Sequence, residues 1–159
     1  MNLKLASILL KHPYGWIACG FGSGLSPKAP GTAGSLAAII IWYLLFSQWS
    51  IYWQLAIILA AFVIGIIVST WTITNTSVQD PGFIVWDEFV GMWITLLWLP
   101  NDWLWYLAAF VLFRIFDIVK PWPVSWADKN IHGGLGVMLD DALAGVYALL
   151  LLRAAGLIC

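Results

Sequence analysis

Six ionisable side chains fall inside otherwise apolar stretches of this chain: Asp87, Glu88, Arg114, Asp117 and the adjacent pair Asp140-Asp141. Five of the six are carboxylates, so one arginine cannot neutralise them. A charge at the centre of a bilayer costs about 2.5–3.5 kcal/mol on insertion scales, and chains keep such residues for a reason. Like charges held close together repel unless a cation sits among them. Hard oxygen donors without a Cys or His cluster point to Mg²⁺ rather than zinc. Plainer readings exist as well. Arg114 and Asp117 are three residues apart, on one helix face, and could simply neutralise each other. Asp87 and Asp140 could snorkel to water without doing chemistry.

Two glycine-rich segments accompany the carboxylates. The first is Gly20-Phe-Gly-Ser-Gly-Leu-Ser-Pro-Lys-Ala-Pro-Gly-Thr-Ala-Gly-Ser35. It contains Lys28 and runs into an apolar stretch, with Thr32 and Ser35 available as N-caps. Free backbone N–H groups, a helix N-terminus and a lysine can cradle a phosphate. The Walker spacing is absent, because no Lys-Ser/Thr follows the last glycine, and a flexible connector fits the segment equally well. The second runs from Lys120-Pro-Trp-Pro123 to His132-Gly-Gly-Leu-Gly136 and leads to Asp140 and Asp141. His132 by itself reads as a loop residue. Oxygen ligands for a metal, flanked by cations and N–H donors for a phosphate, are the equipment of metal-assisted phosphoryl chemistry on a lipid headgroup.

These residues need elements to carry them, and composition says which. Of 159 residues, 62% are hydrophobic and 9% charged, against about 25% charged in soluble domains. The mean hydropathy is +0.91. Fifteen charges cannot coat a soluble globule of this size, so a soluble enzyme, a disordered chain and a coiled coil are excluded. Net charge −1 gives no nucleic-acid footprint. Cys19 and Cys159 form neither a metal spacing nor a disulfide framework. The length suits one integral-membrane domain, residues 1–159.

Five apolar runs without period-2 alternation predict an all-α, polytopic membrane bundle. They cover about 32–49, 51–71, 83–99, 103–119 and 134–155. Residues 1–19 carry Lys4 and Lys11 in an interrupted apolar pattern and read as an interfacial amphipathic helix rather than a cleavable signal. On this zigzag only Asp102 and Arg153 fall at the face opposite the N-terminus. That opposite face has short loops with Trp49, Tyr52, Trp53, Trp98, Trp103, Trp105 and Tyr106, the pattern of an aromatic belt. The positive-inside rule then places the N-terminus, the 72–82 and 120–133 loops and the carboxylates at the cytoplasmic side.

Four segments carry a resemblance. Gly20 to Ser35, Ile84-Val-Trp-Asp-Glu-Phe-Val-Gly91, Phe113-Arg-Ile-Phe-Asp-Ile-Val-Lys-Pro-Trp-Pro123 and His132-Gly-Gly-Leu-Gly-Val-Met-Leu-Asp-Asp-Ala-Leu-Ala-Gly145 resemble the phosphatidylglycerophosphatase A family, in order and over nearly the whole chain. The resemblance implies a Mg²⁺-dependent phosphatase of the bacterial inner membrane that converts phosphatidylglycerol phosphate to phosphatidylglycerol. The residues then suggest a division of labour. Asp87, Glu88, Asp140 and Asp141 would hold Mg²⁺, with Asp80 a further candidate. Lys28, Arg114 and Lys120 would grip the phosphate, helped by Thr32 and Ser35. Asp117 would orient Arg114 or act as general base. Direct attack by water and a covalent phospho-enzyme both stay open, although the D-x-D-x-T/V pattern of aspartyl phosphatases is absent.

A small proton- or cation-coupled transporter is the alternative, because membrane carboxylates also serve relays. Against it, the charges cluster at one face rather than at the midplane. An inert assembly subunit would not need two lysine-bearing glycine loops. A phosphatidyltransferase would call for a D-G-x₂-A-R…G-x₃-D-x₃-D arrangement, which is missing.

Overall fold

Trp86 and Trp93 lie seven residues apart on one face of a short helix, and each indole N–H leaves that helix to bond a neighbour. Trp86 Nε1 donates to the Ala61 carbonyl at 2.9 Å, and Trp93 Nε1 donates to the Ala38 carbonyl at 3.0 Å. A buried indole needs such a partner, and here the partners fix a central post among longer helices.

The computed structural model describes residues 9–76 and 82–154, which contain helices and no strand. After a turn of helix at 9–11 come α1 (Pro13–Ala18) and a 3₁₀ segment, Gly20–Leu25. Next are α2 (Pro30–Ile41, continued by a π turn at Trp42–Phe46) and α3 (Ile51–Thr76). The central post is α4 (Trp86–Thr95), followed by α5 (Trp103–Val119), α6 (Val124–Asn130) and α7 (Gly133–Ala154).

Helices α3 and α7 are long and apolar enough to cross a bilayer. At 1.5 Å per residue they run about 39 and 33 Å. Much of α3 is apolar and open, with Leu59 66% and Ile67 51% exposed. An apolar surface of this kind suits lipid rather than water.

The 83–99 run departs from the expected single span. It forms only the ten-residue α4, which ends in a turn where Trp98 takes φ 58. Phe89, Val90, Met92 and Trp93 are buried by protein. Apolar composition cannot distinguish a segment enclosed by helices from one enclosed by lipid, hence the mismatch. Helix α3 differs in the other direction and continues past Trp71 to Thr76. Thr72, Thr74 and Thr76 turn their hydroxyls onto carbonyls one turn back, at 2.7–2.8 Å. The polar stretch expected to end the helix thus satisfies itself within it.

The first apolar run starts earlier than expected. Pro30 occupies the first helical turn behind Ala29, the N-cap, so neither Thr32 nor Ser35 caps α2. Proline suits this position because its missing N–H would have no partner there. The 120–133 loop contains a helix of its own, α6. Of the expected N-terminal interfacial helix, residues 1–8 lie outside the described residues; the rest is helical but broken at His12.

Chain direction brings the starts of α2, α4 and α7 to the same end as the finishes of α3 and α5. A Cβ at Gly31 would strike Glu88 and Arg114, and one at Gly134 would strike Ile66 and Thr70. At the opposite end Tyr43 packs edge-on to Tyr106. There Trp49, Tyr52, Trp53, Trp98 and Trp103 are exposed. Tyr106 departs from the expected belt: it is buried and donates to Asn101 Oδ1 at 2.5 Å.

Candidate active site

The separation of α4 and α7 is set by two glycines. A Cβ at Gly145 would run into the Gly91 carbonyl, and a Cβ at Gly91 would meet the Asp141 carbonyl and the Phe113 ring. Thr95 closes the contact, its hydroxyl reaching the Gly91 carbonyl at 2.9 Å and the Gly145 carbonyl at 3.3 Å. Small residues let helix backbones approach this closely. Gly91 lies one turn beyond Asp87, and Gly145 one turn beyond Asp141. The glycine contact therefore brings these carboxylates together one turn nearer the surface.

Asp87, Glu88 and Asp141 each offer an oxygen, and the three oxygens lie within 4.8 Å of one another. Asp141 is 4% exposed, and its Oδ2 and Glu88 Oε2 are buried without a hydrogen-bond partner. Hard anionic oxygens, converging with acceptors unspent, fit a divalent cation such as Mg²⁺. Asp87 and Glu88 stand in the first turn of α4, where the positive end of the helix dipole favours carboxylates.

Arg114 comes from the last turns of α5. Its Nη1 lies 2.6 Å from Asp117 Oδ2 and 3.8 Å from Glu88 Oε1. The Asp117 contact is an ion pair without hydrogen-bond alignment, and Nε and Nη1 keep unused donor capacity. The first turn of α2 passes directly over Arg114 and Glu88 at Gly31, leaving no room for a side chain.

Lys120 is the C-cap of α5, with φ 46. This left-handed position usually takes glycine or asparagine. Its ammonium bridges Asp128 of α6 at 2.5 Å and Asp140 of α7 at 2.7 Å. Burial works against that charge, but the two carboxylates outweigh it and raise the Lys120 pKa above the usual lysine range. Asp140 consequently pairs with lysine instead of joining the Asp87–Glu88–Asp141 group. Its side chain also accepts from the Asp141 N–H at 3.0 Å, steadying the turn that presents Asp141.

The remaining predicted residues are dispersed. Ser35 is fully buried, and its hydroxyl donates to the Gly31 carbonyl at 2.8 Å, so it is spent within its own helix. Thr32 is partly exposed in the first turn of α2, and Lys28 is exposed on the preceding loop, without an ion pair among the described residues. Asp80 lies outside the described residues. Cys19 is no nucleophile: burial pushes its thiol up to about 11, so it stays protonated.

Asp128, unremarkable in the sequence, stands beside a cavity. This cavity, of about 360 Å³, opens next to Asp87 and Asp140 and is bounded by α6 and the start of α7. The only advance signal was Asp128 lying eight residues beyond Lys120. That spacing becomes a contact only because α6 folds back.

Comparison with known proteins places the chain in a family. Residues 16–156 match the family described as phosphatidylglycerophosphatase A. A protein of that name from Escherichia coli is 50% identical over 149 residues, 92% of this chain and 86% of the relative. Another from Haemophilus influenzae is 44% identical over 96% of this chain and 94% of its own length. A Bacteroides thetaiotaomicron protein, 48% identical over 87% of this chain and 91% of its own, bears the name of a candidate phosphatidylinositol-3-phosphatase. No solved structure gives a significant match. With the family match covering residues 16–156, and relatives aligned over most of their own length, this protein belongs to the phosphatidylglycerophosphatase A family.

Proposed function

We propose that the protein removes the terminal phosphate of phosphatidylglycerol phosphate at the cytoplasmic leaflet of the bacterial inner membrane, with Mg²⁺, as a step of phospholipid biosynthesis. The observation that carries this reading is the convergence of Asp87, Glu88 and Asp141 beside the unspent donors of Arg114. Family membership supplies the substrate: the Escherichia coli and Haemophilus influenzae relatives are phosphatidylglycerophosphatases by name.

Asp87, Glu88 and Asp141 would hold Mg²⁺, which when bound supplies Lewis-acid stabilisation of phosphate oxygens. Arg114 grips the phosphate with its free donors, and a planar guanidinium suits that task. Asp117 fixes the guanidinium through one oxygen. The same carboxylate, beside the guanidinium, would accept the proton of an attacking water. Lys120 holds Asp140 and Asp128 and so ties α5, α6 and α7 around the site. Lys28 approaches the headgroup from the loop.

We read the five apolar segments as the membrane-embedded body, with α4 enclosed at its centre. The Lys-rich end faces the cytoplasm. A single cysteine introduced at position 102 should react with an impermeant maleimide added outside intact cells, and one at position 128 should not. The reverse pattern would invert the orientation.

The activity itself is tested with purified protein in detergent. Inorganic phosphate should be released from phosphatidylglycerol phosphate in mixed micelles, and faster than from phosphatidylinositol 3-phosphate. No release from either lipid contradicts a phosphatase. Preference for the inositol lipid contradicts the substrate.

A further inference from the structure

Helix α5 carries an apolar stripe that stays open along its whole length. Leu104, Leu107, Val111, Ile115 and Ile118 recur at three- and four-residue steps, so they share one face, and all five are exposed. Seventeen residues make α5 about 26 Å long, close to the hydrocarbon core of a bilayer at about 30 Å. An exposed tryptophan stands at each end. Trp103 opens the helix, and Trp122, 75% exposed, follows its C-cap Lys120 by two residues. Tryptophan concentrates at the two membrane interfaces, and these two indoles have the spacing of such a pair.

The open face continues onto α6. Val124 and Ala127 turn inward and are fully buried, and Asp128 is spent on Lys120, whereas Trp126 stays exposed. Lys129, exposed and without an ion pair among the described residues, lies just beyond it. Indoles followed by a free cation suit an anionic headgroup layer. Two bonds fix this segment against α7. Lys120 Nζ reaches Asp140 at 2.7 Å, and the Tyr147 hydroxyl donates to the Trp122 carbonyl at 2.8 Å. Asp141 lies between those two points along α7. The segment that bears Trp122 is therefore held alongside the carboxylates.

We propose that residues 122–126 lie in the headgroup layer of the membrane, with Trp122 and Trp126 as anchors that keep Asp87, Glu88 and Asp141 at headgroup depth. From there α6 climbs toward water and the start of α7. A lipid phosphate then meets the site in the plane of the bilayer, without being lifted out. The proposal rests on the membrane reading above and deepens it by naming the lipid layer that this end of the bundle contacts.

A fluorophore on α6 reports that layer directly. Trp126→Cys, combined with Cys159→Ser, is labelled with a nitrobenzoxadiazole and reconstituted into vesicles of phosphatidylcholine and phosphatidylglycerol; Cys19 is buried and stays unlabelled. A nitroxide near the glycerol ester should quench the label about twofold more than one near the acyl-chain terminus, as for a group seated at the headgroup boundary. Aqueous iodide should quench it far less than a label introduced by Asn130→Cys, at the water end of α6. Trp122→Cys gives the same measurement independently. Iodide quenching at 126 equal to that at 130 overturns the anchor. Protection from both iodide and nitroxide, the sign of a second protein on this face, overturns it too, as does stronger quenching from the chain terminus. The readout needs no turnover. A protein that shows the shallow quenching but releases no phosphate keeps the anchor and loses the phosphatase reading alone.

Discussion

Asp141→Asn is expected to slow phosphate release about a thousandfold or more while leaving the protein folded. The side chain is 4% exposed, shares its oxygens with Asp87 and Glu88, and has an oxygen without a hydrogen-bond partner. Asparagine keeps the shape and removes the charge. If these oxygens hold the ion, the loss is of several kcal/mol of transition-state stabilisation, and each 1.36 kcal/mol is a factor of ten in rate. The same substitution should stabilise the fold when chelator is present. Three carboxylates packed together repel, and removing one charge relieves that repulsion. Thermal unfolding in detergent with EDTA should therefore show Asp141→Asn melting higher than the native chain. A lower melting temperature together with lost activity would mean that Asp141 serves packing. Near-native turnover would remove it from the site.

Arg114→Lys should reduce kcat about a hundredfold, the scale seen when one preorganised donor to a developing charge is removed. Lysine keeps the positive charge but offers a compact ammonium on a flexible stem in place of a planar fork. Arg114 reaches Asp117 at 2.6 Å and Glu88 at 3.8 Å from one nitrogen and retains donor capacity at Nε and Nη1. An ammonium can satisfy Asp117, but cannot also place two donors on a phosphate. If Arg114 merely neutralises Asp117, Arg114→Lys should retain nearly full turnover. Comparing kcat of this variant with that of Asp117→Asn separates the readings, because an orienting carboxylate makes its own loss nearly as costly.

Both substitutions fall on residues legible from sequence, because a charge in an apolar run is conspicuous whatever the packing. Asp87, Glu88, Arg114, Asp117 and Asp141 all lie at one end of the bundle, where the zigzag of runs placed them. Gly91 and Gly145 are small enough for helices to approach closely, but their placement one turn from the carboxylates is a matter of packing that the sequence does not show. Other features depended on tertiary context. Helix α4 looks like a span because protein and lipid surroundings demand the same apolar composition. Threonines that read as a helix end bond back onto their own helix in α3. Ser35, set behind a glycine-rich loop, reads as a phosphate donor, but Pro30 starts the helix early and buries it. Asp140 and Asp141 are neighbours in sequence and equal as candidate ligands. A 100° turn of helix sends one to Lys120 and the other to Asp87 and Glu88, and the packing of α7 on α4 at Gly91 and Gly145 decides which.

Asp87, Glu88 and Asp141 are proposed to form a divalent-metal site for lipid phosphate hydrolysis. The most direct test is phosphate release from phosphatidylglycerol phosphate in mixed micelles, followed with Mg²⁺, after EDTA, and after Mg²⁺ is restored in excess. Release that stops with EDTA and returns with Mg²⁺ is the predicted result, whereas release indifferent to chelation would contradict the claim.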